Sequence, residues 1–169
     1  MPVESETKGK ASTSASAIPE MTPNPEVAFF SMKTQLLDKG NTEVPLAMTD
    51  KLWLKIKVYA EGGENRLHAH PHQDHSFIVL QGRARFYGPE GESRECGPNE
   101  GIMLPAGSFY HFCNITDQPL VLLRIGATVD DGKHPDMRII NGDEWKVRRG
   151  RGATYISPDV SYRKGDFFG

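Results

Sequence analysis

His68-Ala69-His70-Pro71-His72-Gln73-Asp74-His75 runs directly into the apolar stretch Ser76-Phe77-Ile78-Val79-Leu80. Four of the chain's six histidines stand in those first eight residues. His68 and His70 are two apart, and in an extended strand residues two apart project to the same side. A Pro-containing turn follows, and a hairpin there brings His75 back opposite the pair. Three neutral imidazoles facing one space form a first-row transition-metal site. A solvated polar turn is the plainer reading of clustered histidines, and an H-x-H pair alone is a weak motif. The cluster lies mid-chain inside strand-like sequence, which argues against an added tag.

Working outward, short apolar runs are punctuated by 17 Gly and 12 Pro, a pattern that reads as all-β. Leu52, Leu54, Ile56 and Val58 alternate with Trp53, Lys55, Lys57 and Tyr59, the clearest strand in the chain. Further strands are expected over 65–70, 76–81, 83–87, 102–104, 110–114 and 120–127. Their spacing fits a sandwich or barrel, and a small closed barrel has an interior for one metal and one small ligand. No long helix is evident. Residues 31–37 read either as a short helix or as a strand.

The spacing around the histidines is Gly62, five residues, H-x-H, four residues, His75, six residues, Gly82. This resembles the first motif of the cupin superfamily, where Glu most often stands in the place of His75. Pro105-Ala-Gly107-Ser-Phe-Tyr110-His111-Phe-Cys-Asn114 resembles the second cupin motif, P-x-G-x-x-H-x-x-x-N. Tyr110 holds the usual His place, His111 comes one residue later, and Asn99 stands where that motif opens on Gly. The resemblance spans about residues 52–127. It implies a single-domain double-stranded β-helix, or jelly-roll barrel, over residues 26–128, with motif one at 62–82 and motif two at 99–114. It also implies one divalent transition metal, iron first and Zn, Ni or Mn as alternatives. Some cupin dioxygenases that cleave dicarbonyl or hydroxylated aromatic substrates are of three-His type.

The candidate metal ligands are therefore His68, His70 and His75, with His111 in question as a fourth. Strand parity puts Tyr110, Phe112 and Asn114 on one face and His111 and Cys113 on the other. By the cupin register Tyr110 then points inward as a proton donor or ligand-binding group. A β-bulge after Gly107 would exchange Tyr110 and His111. A three-His site carries no ligand charge, so a divalent ion there would favour anionic co-ligands. Arg66 shares the parity of His68 and His70, and Arg124 is a charge within Leu120-Val-Leu-Leu-Arg-Ile125. Each is a candidate to hold a substrate carboxylate, and each could equally pair with a carboxylate at the rim. His72 reads as a turn residue. Asp74 either orients a ligand histidine or caps the turn. Phe77, Val79, Phe86, Met103 and Phe112 are candidate cavity walls or ordinary core.

The 169 residues suit one domain with a tail. A net charge of −2 makes no electrostatic case for nucleic acid or membrane surfaces, and no apolar run approaches a membrane span. Residues 1–25 read as a disordered tail without a secretion signal. Cys96 and Cys113 suggest reduced thiols and a cytoplasmic setting. Residues 129–169 read as an extension whose Phe167-Phe168 pair docks on the barrel or on a second subunit. The segment 26–37 is a candidate edge strand for a homodimer. Three functional readings stay open: an iron dioxygenase, a redox-neutral isomerase, decarboxylase or lyase, and a non-catalytic small-ligand barrel. The dioxygenase leads.

Overall fold

The computed structural model describes residues 26–60, 65–129, 137–140, 143–146 and 152–169. The expected tail over 1–25 and Gly62, which opens the first motif, lie outside them. Among the described residues there are thirteen strands and no helix. A six-stranded sheet runs in the order β12 (Tyr155–Ile156), β2 (Asn41–Met48), β3 (Leu52–Tyr59), β9 (Leu120–Thr128), β4 (Gln73–Gln81), β7 (Gly101–Leu104). A three-stranded sheet, β6 (Ser93–Cys96), β5 (Ala84–Tyr87), β8 (His111–Asn114), forms the other wall. Two further pairs join β1 (Thr34–Lys39) to β13 (Ser161–Phe168), and β10 (Met137–Ile140) to β11 (Asp143–Lys146).

The β3 alternation separates two interiors. Ile56 and Val58 pack with Leu36, Leu37, Ala60 and Val121 in one cluster, to which Phe168 is added from β13. The C-terminal aromatic pair thus divides: Phe168 joins this cluster, whereas Phe167 is exposed and lies under the Lys33 ammonium. The opposite face of β3 carries Trp53, Lys55, Lys57 and Tyr59, all buried. It looks into the barrel, where Tyr59 meets Phe112 with ring centroids 5.0 Å apart. Phe77, Val79, Phe86, Phe112, Leu120 and Leu122 fill that interior. Met103 does not line it: β7 turns Ile102 and Leu104 inward, so the residue between them is 67% exposed.

The backbone closes the barrel at the histidine segment. Residues 65–70 do not form the expected strand, and they make no hairpin with β4. Instead His68 and Tyr110 exchange both backbone hydrogen bonds, at 3.1 and 3.0 Å, and the Gly107 N–H donates to the His70 carbonyl at 2.9 Å. β4 pairs with β9 and β7. Asn99, where the motif expects Gly, takes φ of 67°, the left-handed turn that Asn tolerates better than other side chains.

Phe112 touches the rings of Tyr59, Phe77 and Phe86 and is 1% exposed. Phe112→Ala is expected to cost about 3–5 kcal/mol, read as a lower urea midpoint at unchanged m-value.

Candidate functional site

β4 turns Gln73, His75, Phe77 and Val79 inward as alternate residues, and β9 does the same with Leu120, Leu122, Arg124 and Gly126. The register places His75 beside Gly126, and Gly126 beside Trp53 on the next strand. A side chain at 126 would run into the Trp53 indole. Glycine there lets the indole lean across β9 to meet the His75 ring edge-on, centroids 5.4 Å apart.

His68, His70 and His75 are each 2–3% exposed. Their rings meet in sequence, with centroids 5.1 Å apart for His68 and His70 and 4.2 Å for His70 and His75. Tyr110 is buried against His68 at 4.6 Å. His111 lies on the other face of its strand, stacked on Tyr87 at 4.5 Å, and does not join the group. No bulge exchanges the two, because the His68 bridge holds Tyr110 in register. Arg66 also stays out: its side chain is exposed, and only its carbonyl contributes, 2.7 Å from His68 Nδ1. Parity misled here because residues 65–67 are not strand. Asp74 caps the turn, accepting the Ala106 N–H at 2.8 Å.

Arg124 occupies the centre. Its Nη2 lies 3.4 Å from His70 Nε2 and 3.3 Å from each nitrogen of His75. Its Nη1 donates to Glu43 Oε2 at 3.1 Å. The guanidinium lies over the rings of Trp53 and Phe77, 4.8 and 5.7 Å from their centroids. Glu43 also takes Lys55 at 2.6 Å and Lys57 at 2.8 Å. Three buried cations thus share one carboxylate. Glu43, Lys55 and Lys57 carried no signal as site residues, since Lys and Glu in an alternating strand read as its solvent face.

Burial sets the protonation. It pulls His68 down from 6.5 to about 3, with His70 and nearby arginines adding to the effect. Burial and then Arg124 hold His75 well below its usual range. Burial raises Tyr110, so its O–H stays protonated. Burial would raise Glu43, but Lys57, Arg124 and Lys55 outweigh it and keep the carboxylate ionised. The His68 Nδ1–H donates to the Arg66 carbonyl, leaving Nε2 as an acceptor. The His75 Nε2–H donates to Gln73 Oε1 at 3.0 Å, leaving Nδ1 as an acceptor.

The fit of a divalent metal can be judged from this geometry. Among the described residues no group of three or more His, Cys, Asp or Glu is arranged to hold one. The donor set is right in kind, being three buried imidazoles. The guanidinium already sits among them, however, and an ion bonded at about 2.1 Å would lie within roughly 5.5 Å of it. Charges of +2 and +1 at that range repel by on the order of 5 kcal/mol before any offset from Glu43. The arrangement as it stands does not fit a metal.

The family model described as Cupin domain matches residues 56–126. Among solved structures the chain is similar to a protein with a double-stranded β-helix domain from Klebsiella pneumoniae. The two are 15% identical with a TM-score of 0.54, covering 73% of this chain and 100% of that one. It is also similar to the Cnp3 cupin domain of Schizosaccharomyces pombe, at 19% identity and a TM-score of 0.49, covering 52% of this chain and 64% of that one. A Bacillus halodurans protein is 25% identical with a TM-score of 0.49, covering 56% of this chain and 73% of that one. Comparison with the curated proteins gives no match. No described helix is long and apolar enough to cross a membrane. Residues 56–126 are a cupin domain, and the Klebsiella likeness is one of fold.

Between pH 6.5 and about 3 the unfolded chain protonates His68 while the folded chain does not. Acid therefore favours unfolding in that window, and stability rises with pH through it. Going from about pH 7.5 to about pH 5 is expected to cost about 2 kcal/mol from His68 alone. Urea unfolding at the two pH values checks this, and His68→Gln is expected to flatten the dependence.

Proposed function

We propose that this cupin is an enzyme that binds a small organic anion, a carboxylate or enolate, in its barrel. The observation that carries the reading is the buried guanidinium of Arg124, anchored on Glu43 and set among the imidazoles. A carboxylate or enolate is the kind of anion that a buried guanidinium recognises. Arg124 is held by Glu43 at one nitrogen and presents the other among the imidazoles, where a substrate oxygen can take it. His68 Nε2 is the proton acceptor, and the protonated Tyr110 beside it supplies a hydrogen bond to a developing enolate oxygen. These groups suit redox-neutral chemistry on an enolisable acid: isomerisation, decarboxylation or elimination.

A second reading makes His68, His70 and His75 a three-His iron site that cleaves dicarbonyl or phenolic substrates with oxygen. The burial of all three and the neutrality of His68 and His75 favour it. It requires Arg124 to leave the cluster.

A panel of enolisable, dicarbonyl and phenolic acids, assayed with and without oxygen and ferrous iron, separates the two. The first reading expects turnover without either, and a loss of about a hundredfold or more in kcat/KM for Arg124→Met. Oxygen uptake that depends on iron and substrate favours the second. Binding without turnover of any member makes the protein a ligand-binding barrel, and no binding at all counts against every reading.

A cytoplasmic setting is proposed with this, Cys96 and Cys113 being free thiols. We also propose a homodimer, because Val27 and Phe29 are 70% and 94% exposed ahead of β1. Light scattering is expected to give twice the 18.8 kDa chain mass; a monomer at micromolar concentration would sink this.

A further inference from the structure

We propose that Arg124 is the standing cation of the histidine cluster, excludes divalent metal from it, and that removing Arg124 turns His68, His70 and His75 into a divalent-metal site. His68 and His75 each spend one ring N–H on a fixed acceptor, the Arg66 carbonyl and Gln73 Oε1. Each is left with one acceptor nitrogen inside the barrel. Such a nitrogen is satisfied by a metal ion or by an N–H donor. Arg124 Nη2 lies 3.3 Å from both ring nitrogens of His75 and 3.4 Å from His70 Nε2, so a donor carrying positive charge already occupies the space between them.

The guanidinium is held there from three sides. Glu43 binds Nη1, Trp53 and Phe77 lie across its plane, and the register sets Arg124 between Lys55 and Phe77 on the flanking strands. A metal would have to expel a cation that Glu43 and two aromatic faces retain. With Arg124 shortened or made apolar, the three imidazoles keep their burial, and His68 and His75 keep their second hydrogen bonds. Those second hydrogen bonds are what fix a ligand histidine's tautomer and ring orientation. Glu43 then gives the emptied cluster a nearby negative charge.

The test uses the full chain, loaded with Co(II), desalted, and measured by elemental analysis and by the visible band of tetrahedral cobalt. The wild type is expected to retain no stoichiometric cobalt, and Arg124→Met about one equivalent, with a thermal midpoint that rises with cobalt. That equivalent should be lost when His68→Ala and His70→Ala are added. Arg124→Lys keeps a cation and is expected to stay metal-free. Stoichiometric cobalt in the wild type, lost in His68→Ala with His70→Ala, overturns the proposal. So does a folded Arg124→Met that takes up none. Should Arg124→Met not fold, Arg124→Gln takes its place, with the same uptake expected and its absence in the folded variant overturning the proposal. The inference rests on the packing around Arg124 and not on turnover. Failure to bind any acid would sink the anion reading and leave this one standing, whereas cobalt in the wild type would sink this one and favour the iron reading.

Discussion

One carboxylate organises the interior of this barrel. Glu43, on β2, receives Lys55 and Lys57 from β3 and Arg124 from β9. Taking any of these charges out of water is unfavourable, and only their mutual pairing makes it tolerable. Without Glu43 the polar face of β3 would turn inward at greater cost, because Lys55 and Lys57 would each lose an ion pair. That same face brings Trp53 to His75 and Tyr59 to Phe112. The ion cluster therefore decides which side of the central sheet becomes site and which becomes the aliphatic cluster under β1 and β13.

The site follows from that choice. Arg124 is drawn to Glu43 and so reaches His70 and His75. The positive charge in turn holds His75 neutral, adding to the effect of burial. Gly126 makes room for the Trp53 indole beside the same histidine. Neutral imidazoles at His68 and His75, a protonated phenol and a guanidinium anchored on Glu43 are mutually consistent states. A solvated histidine cluster would titrate near neutral pH; this one is a set of acceptors around a donor.

The cupin architecture was legible in the chain because its signals are local. Strand period, turn glycines and the spacing of the two motifs are all read over stretches of ten or twenty residues. The strands β1, β2, β6, β12 and β13 were less legible. Pro45 interrupts β2 at a register shift, and β13 finds its partner β1 more than a hundred residues away. The 65–70 segment misled for a related reason. Its extended look comes from two bridges to distant residues and not from a continuous ladder.

By itself the sequence determined the strand period and the His68, His70 and His75 grouping, and it left Tyr110 and His111 as alternatives for the inward face. The period and the grouping depend on residues close together in the chain and on the two-residue repeat of a strand. Only the tertiary structure decided what sits among the histidines. Glu43 and Arg124 are 81 residues apart, and Arg124 and His70 are 54 apart. Lys55 and Lys57 look solvent-facing until a carboxylate from the neighbouring strand pairs with them. Electrostatic pairing across strands has no signature in any single strand, so the cation at the heart of the cluster emerges only when β2, β3, β4 and β9 lie side by side.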